Sequence, residues 1–376
     1  MRSVPRFSFS SPARHERPAT ILGIALGVAF TVCFATGQLS HAAQTPIPWF
    51  PWPAGPAWLY RVTQGVHVFT GLATIPLLLG KLWAVYPLLW RWPPVRGVAE
   101  AVERAALVPL VGGAVFLLVT GVTNIDYWFP YQFFFRIAHY WAAWITVGAL
   151  VVHVGATSTV AAGALRDRAA TSPATPEGID RRRFLVAIGA AAGAVAITTV
   201  GSAVWPLRRL AVLAPRRPDI GPQGLPVNHQ ARDVGVADVG GGDSAYRLRV
   251  HGRVARPLEL SLQDVRARRT REVRLPISCV EGWSYSARWR GIPLRDLLEE
   301  AGADRGAAVL LRSLQTRGPY SAARINAEHA RHPDTLLALQ VNGAPLHLDH
   351  GFPLRLIAPD NPGVMQTKWV TEVQVL

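Results

Sequence analysis

The chain has 376 residues, of which half are hydrophobic and 17% charged, below the ~25% charge of ordinary globular chains, and this excludes intrinsic disorder. Its net charge of +15 is carried almost wholly by arginine, since Lys81 and Lys368 are the only lysines; no basic stripe or nucleic-acid motif accompanies that charge, so no nucleic-acid partner is expected. With only Cys33 and Cys279, a disulfide-stapled scaffold and a four-cysteine zinc site are both excluded.

The apolar residues are concentrated in the first 205 positions, in five runs long enough to cross a hydrocarbon core, which takes ~20 helical residues. The predicted spans are residues 20–39, 58–83, 105–123, 137–165 and 184–205. In the first three, Arg61 and Lys81 are the only full charges. The division expected is a cytoplasmic N-terminus over 1–18, a four-helix membrane domain over 19–165, a loop and fifth span over 166–206, and a distal domain over 207–376.

Short cytoplasmic loops retain arginine. Arg2, Arg6, Arg14 and Arg17 precede the first span; Lys81, Arg91, Arg96 and Arg104 lie around the second loop; Arg166, Arg168, Arg181, Arg182 and Arg183 lie between the fourth and fifth. These are placed inside. Loops 41–57 and 124–136 are rich in Trp, Tyr, Phe and Pro, hold Arg136 as their one basic residue, and are placed outside. The expectation is a multi-pass protein of the cell membrane, in contact with lipid, with its distal domain extracytoplasmic. Arg208, Arg209, Arg216 and Arg217 run against this orientation. Asp180-Arg181-Arg182-Arg183-Phe184-Leu185 before a soft apolar stretch resembles a twin-arginine export signal, which implies a distal domain that crosses the membrane already folded.

Histidine inside a bilayer is costly and points to a functional site. His67 lies in the second span; His139 and His153 lie in the fourth. Their separation of fourteen residues is nearly four helical turns, so they share a face and stand ~21 Å apart along the axis. Histidines on facing helices supply the two axial ligands of a b-type haem, and the absence of C-x-x-C-H excludes covalent attachment. His67 and His139 fall at one depth and are expected to pair. His153 needs another partner, for which His15 is the candidate; His41 is an alternative to His67. One or two haems are therefore expected. The arrangement resembles the four-helix cytochrome b subunits that link periplasmic formate dehydrogenases and hydrogenases to quinone, which implies quinone or quinol as a partner.

Beyond about residue 245 the pattern changes to short alternating apolar runs at 246–250, 258–260, 274–277, 354–357 and 368–375, read as strands, with helical pieces at 293–301 and 333–339. This predicts a mixed α+β domain. Cys33 belongs to the first span, so Cys279 is expected to stay unpaired.

Ser278-Cys279-Val280-Glu281-Gly282-Trp283-Ser284, followed by Trp289-Arg290-Gly291-Ile292-Pro293-Leu294, resembles the molybdenum-pterin domain of the sulfite oxidase superfamily. Leu336-Leu337-Ala338, Asn342-Gly343-Ala344-Pro345-Leu346, His350-Gly351-Phe352-Pro353-Leu354-Arg355-Leu356 and Lys368-Trp369-Val370 match that family in the same order. The resemblance covers residues 224–376. It implies Cys279 as a thiolate ligand to molybdenum and Asn228, His229, His350, Arg355 and Lys368 as pterin or active-site contacts. The family often has Arg-Asn-His where this chain has Val227-Asn228-His229. Tyr320 is a candidate proton donor at the metal.

The function expected is a membrane-bound molybdopterin-dependent oxidoreductase that exchanges electrons between the quinone pool, haem b and a small or protein-borne substrate such as a sulfoxide. The alternatives are a sulfite dehydrogenase feeding quinone and a non-catalytic, membrane-anchored ligand-binding module. The chain stops before the dimerisation domain of sulfite oxidases, which inclines the expectation towards a reductase.

Overall fold

The structure is a computed structural model and describes residues 14, 16–47, 49–89, 97–166, 181–216, 220–236 and 245–376. His15 lies outside these residues, as do Arg2, Arg6, Arg91, Arg96, Arg168, Asp180 and Arg217. The chain divides into two compact units, the first made of Met1–Gly37, Val66–Gly201 and Leu210–Leu213, the second of Gln38–Gly65, Ser202–Arg209 and Ala214–Leu376.

Five helices dominate the first part of the chain: α1 (Glu16–Gln44), α2 (Leu59–Leu89), α3 (Val98–Asp126), α4 (Phe135–Arg166) and α5 (Arg181–Val200). Each is long and apolar enough to cross a membrane. Large apolar side chains such as Val115 and Val119 on α3 and Ile145 and Val151 on α4 are exposed, which is the side-chain pattern of a lipid-facing helix. Where helices touch, small residues permit it. A Cβ on Gly113 would come within 2.2 Å of the Thr146 hydroxyl, so α3 and α4 approach closely only because that position lacks one. The fifth predicted span, 184–205, is shortened: α5 ends at Val200 and the chain continues as 3-10 turns at Gly201–Ala203 and Trp205–Leu210. Pro206 accounts for this, since it has no N–H to continue the helix and disfavours helical backbone at the residue before it.

The second unit holds two five-stranded sheets. One has the order β2 (Leu258–Ser261), β1 (Arg247–Gly252), β10 (Val370–Val375), β5 (Val309–Ser313), β6 (Ala322–Ile325). Its pairing is antiparallel except between β1 and β10. The other runs β3 (Arg271–Ser278), β4 (Ser284–Pro293), β7 (Leu336–Val341), β8 (Ala344–Pro345), with β9 (Arg355–Ile357) also on β7. Short helices α6 (Leu262–Ala267), α7 (Leu294–Glu300) and α8 (Ala327–Arg331) fill in around them. A capping box, in which Ser261 accepts from the Asp264 N–H and Asp264 accepts from the Ser261 N–H, starts α6. Two apolar cores result, one around Leu248, Val250, Leu297, Leu311 and Val373, the other around Leu275, Trp289, Leu336 and Ile357.

The predicted strands near 246–250, 258–260, 274–277, 354–357 and 368–375 and the helix near 293–301 are present. The predicted helix at 333–339 is not: its apolar run is β7, which pairs with both β4 and β9. A short apolar run has the same composition whether it is a buried strand or a helical segment. Here pairing on both edges requires the strand. The strands β4, β5, β6 and β8 have no counterpart in the predicted elements.

The loop between the first two predicted spans belongs to this second unit. Trp52 donates its indole N–H to the Asp360 carbonyl at 2.9 Å, and its own carbonyl accepts from Asn326 at 2.9 Å. The Tyr60 N–H donates to the Asp360 carboxyl at 2.6 Å. The Ala54 N–H donates to Glu328 at 3.2 Å. Asp360 is buried, and burial raises its carboxyl from 3.8 to about 7. The folded state therefore keeps this proton over a range in which the unfolded chain has lost it, so stability decreases as pH rises from about 4 to about 7 and is insensitive to this group above that. Asp360→Asn keeps an acceptor for the Tyr60 N–H and removes the titration. The loss of Tm between about pH 4 and about pH 7 is expected to be smaller in the variant, as read by thermal unfolding.

Candidate active site

Cys279 follows the last residue of β3, in the turn that returns the chain into β4. The Ser278 and Ser284 hydroxyls meet at 2.9 Å where the strands close. Within the turn the Cys279 N–H donates to the Trp283 carbonyl at 2.9 Å and the Gly282 N–H to the Cys279 carbonyl at 3.1 Å. Gly282 has φ 92°, a left-handed conformation that glycine adopts without strain. A hydrogen-bonded turn on two long paired strands thus holds one buried thiol at the end of a sheet. Cys279 and Cys33 are both free, in agreement with the sequence reading.

The sulfur accepts a hydrogen bond from the Asn228 amide at 3.0 Å. The same amide donates to Glu281 at 3.0 Å, and the other Glu281 oxygen accepts from the Trp283 indole at 2.8 Å. Burial pushes the Cys279 thiol up, and the neighbouring Glu281 carboxylate adds to this. Glu281 itself is raised to about 7 by burial, against the opposing pull of the Trp283 hydrogen bond and of Arg216, whose Nε lies 3.9 Å from it. The thiol is therefore protonated unless a cation is brought to it. A metal ion supplies such a charge and deprotonates the sulfur that ligates it.

Two buried cations belong to the same unit. Arg355, at 5% exposure, donates to the His350 carbonyl at 3.2 Å and lies over the Trp289 ring, 5.6 Å from its centroid; its Nε has no partner among the described residues. Lys368 donates to the carbonyls of His229 at 2.9 Å and Asp349 at 2.7 Å. Burial lowers Arg355 to about 10, and burial together with Arg355 lowers Lys368 to about 7. Among the described residues no carboxylate forms an ion pair with either. The Asp349 carboxylate offsets part of the cost of burying Lys368, and nothing comparable acts on Arg355; buried charge so weakly compensated is unfavourable, so these two side chains suit an anion. Gly351, with φ 105°, lies between them: a Cβ there would stand 3.0 Å from the Lys368 Cβ and 3.3 Å from that of Arg355.

His350 donates from Nε2 to the Pro222 carbonyl at 2.7 Å. Burial lowers both it and His229 to about 4, with the Lys368 charge adding to the effect on His229, so both rings are neutral near pH 7. The Tyr320 ring lies 6.0 Å from that of His229. The structure thus joins Asn228 to Cys279, Lys368 to His229, Arg355 to His350, and Tyr320 to His229. The sequence patterns point to neither Glu281 nor Gln64 as a site residue. Glu281 stands inside the quoted cysteine motif, where a carboxylate two residues from a thiol was the available signal. For Gln64, whose amide donates to the Val280 carbonyl at 2.7 Å, no sequence pattern points so far along the chain.

In the helical unit, the rings of His67 and His139 have centroids 6.4 Å apart and planes inclined at 71°. His67 Nδ1 is 2.8 Å from the Cys33 carbonyl and His139 Nδ1 is 2.9 Å from the Thr120 hydroxyl. A proton on Nδ1 of His67, donated to that carbonyl, leaves its Nε2 as a lone-pair donor, and the Thr120 contact permits the same tautomer at His139. No hydrogen bond to either Nε2 occurs among the described residues. His153 is brought to no second imidazole among the described residues, and its Nδ1 has no hydrogen-bond partner there. His41 lies in the last turn of α1.

A buried thiol with an amide donor on its sulfur thus lies in the same compact unit as two buried cations, a donor set suited to an anionic metal cofactor. Residues 236–376 match the family described as oxidoreductase molybdopterin binding domain. The chain is 35% identical to sulfite oxidase of Gallus gallus over 161 residues, covering 35% of this chain and 35% of that protein. It is 32% identical to the protein-methionine-sulfoxide reductase catalytic subunit MsrP of Xanthomonas campestris over 145 residues, covering 35% of this chain and 45% of that protein. It is also 32% identical to the uncharacterized oxidoreductase YuiH of Bacillus subtilis over 130 residues, covering 34% of this chain and 64% of that protein. The chain thus spans between about a third and two thirds of the length of these curated relatives. The distal part of the chain is a molybdopterin-binding oxidoreductase domain of the type found in sulfite oxidase and methionine-sulfoxide reductase.

The residues present fit a molybdenum-pterin group. Cys279 offers a soft sulfur ligand, and the unpartnered Arg355 Nε and the Lys368 ammonium offer donors to its phosphate. Arg355→Met is expected to lower the molybdenum and pterin content of purified protein by roughly an order of magnitude, while the Tm of cofactor-free protein does not fall, because the variant removes a buried charge that has no counter-charge. Metal analysis and thermal unfolding of the two forms check this.

Proposed function

We propose that the chain is a membrane-bound molybdopterin oxidoreductase that uses quinol-derived electrons, passed through haem b, to reduce a sulfoxide on the outer side of the membrane. The observation that carries this reading is the pairing of His67 with His139 in a chain whose distal domain binds molybdopterin. Two imidazole–metal bonds of ~2 Å each place the ring centroids ~6 Å apart, which is the separation found. The five apolar helices, the arginine-rich inner loops and Arg181-Arg182-Arg183 at the start of α5 support the membrane placement and the export of the distal domain.

When bound, the molybdenum-pterin group supplies the two-electron exchange at the substrate oxygen; haem b, when bound, supplies single-electron transfer. The protein's own residues do the rest. Asn228 holds the Cys279 sulfur by a hydrogen bond, and Glu281 and Trp283 hold Asn228 in turn. Arg355 and Lys368 bind the cofactor phosphate and attract a substrate oxygen that carries negative charge. Tyr320, whose ring lies 6.0 Å from that of His229, is the proton donor in this reading. His67 and His139 would ligate the haem iron, and the Cys33 carbonyl and Thr120 hydroxyl orient their rings. His67 and His139 carry this reading; His15, the partner considered for His153, lies outside the described residues.

Purified protein is expected to show a b-type absorption band that a quinol analogue reduces and methionine sulfoxide reoxidises. A band reduced by sulfite and untouched by sulfoxides would reverse the direction of electron flow. His67→Ala and His139→Ala are each expected to abolish the band while molybdenum content is retained; retention of the band in both would sink the haem assignment.

A further inference from the structure

Gln64 is only 4% exposed. Its amide donates to the Val280 carbonyl at 2.7 Å, and its Oε1 has no hydrogen-bond partner among the described residues. Both residues belong to the second unit. The contact is not isolated, because the segment leading to Gln64 is held on the same domain at Trp52, Ala54 and Tyr60. Val280 is bonded to Cys279. In the other direction Gln64 sits in α2, and His67 follows three residues later in the same uninterrupted helix, about 4.5 Å along its axis. A run of covalent bonds broken by one hydrogen bond therefore joins His67 to Cys279.

We propose that Gln64 is a positioning residue for electron transfer, its amide hydrogen bond to the Val280 carbonyl coupling the haem held by His67 to the molybdenum held by Cys279. This rests on the function proposed above. Tunnelling decays much more steeply through an empty gap than through a bond or hydrogen bond, and a buried hydrogen bond is better maintained than one open to water. Electrons pass singly. Oxidation of one quinol to quinone releases two electrons and two protons; two successive transfers deliver those electrons, and with two protons they convert the sulfoxide to thioether and water. Nothing is needed beyond the quinol and the sulfoxide.

The test uses full-length protein loaded with both cofactors. Haem is first reduced with a quinol analogue, then mixed with methionine sulfoxide, and reoxidation of its band is followed by stopped flow. Gln64→Leu and Gln64→Met both remove the donor at similar volume. In each variant that folds and retains both cofactors, reoxidation is expected to slow by about tenfold to a hundredfold, the upper figure being the effect of a ~1 Å misplacement. The haem potential, the molybdenum content and the turnover driven directly by reduced viologen should stay at wild-type values. Unchanged reoxidation in a loaded variant would overturn the proposal. Loss of viologen-driven turnover in proportion to reoxidation would also overturn it, because the role would then be structural. Failure of the underlying reading appears separately, in the wild type, as absence of a haem band or a band that sulfoxide does not reoxidise.

Discussion

Burial of positive charge with little protein counter-charge is the constraint on which the distal domain depends. Arg355 and Lys368 are held by carbonyl oxygens and, for Arg355, by the face of Trp289. These contacts satisfy hydrogen bonds, and only the nearby Asp349 carboxylate offsets part of the cost of burying Lys368. An apolar isostere at either position would pack as well in an empty protein, so the charges are there for a ligand. The chain conformation serves that purpose: Gly351 lets the two side chains approach each other, and the β3–β4 turn presents Cys279 from a rigid base.

In the helical unit, polar contacts likewise orient two rings. The Nδ1 atoms of His67 and His139 are occupied by the Cys33 carbonyl and the Thr120 hydroxyl. In the distal domain Asn228 is treated likewise: Glu281 fixes it so that its amide points at sulfur. In both places an outer residue decides the direction of an inner one.

The segment 38–65 alters how the chain is divided. By composition its middle, 41–57, is a Trp- and Pro-rich loop between two apolar spans, and nothing in its pattern distinguishes an interfacial segment from part of a folded domain. Trp52 and Tyr60 bond to Asp360, some three hundred positions away. A tryptophan has the same composition signature whether it meets a lipid headgroup or a backbone carbonyl, so the sequence alone placed it with the membrane part.

What the residues determined unaided was whatever depends on local composition or on a short motif. The five apolar helices follow from run length, the single usable cysteine from counting, and the domain type from ordered blocks around Cys279, His350 and Lys368. The strands β1, β2, β3, β9 and β10 follow from short apolar runs. The tertiary structure decided what depends on distant pairing: that 336–341 is a strand shared by β4 and β9 rather than a helix, that Glu281 and Gln64 belong with the cysteine loop, and that His139 meets His67 with a usable nitrogen on each ring. An apolar run or a polar side chain has no intrinsic partner. Its role is set when chain closure brings one group to another and removes the water that would otherwise have satisfied both.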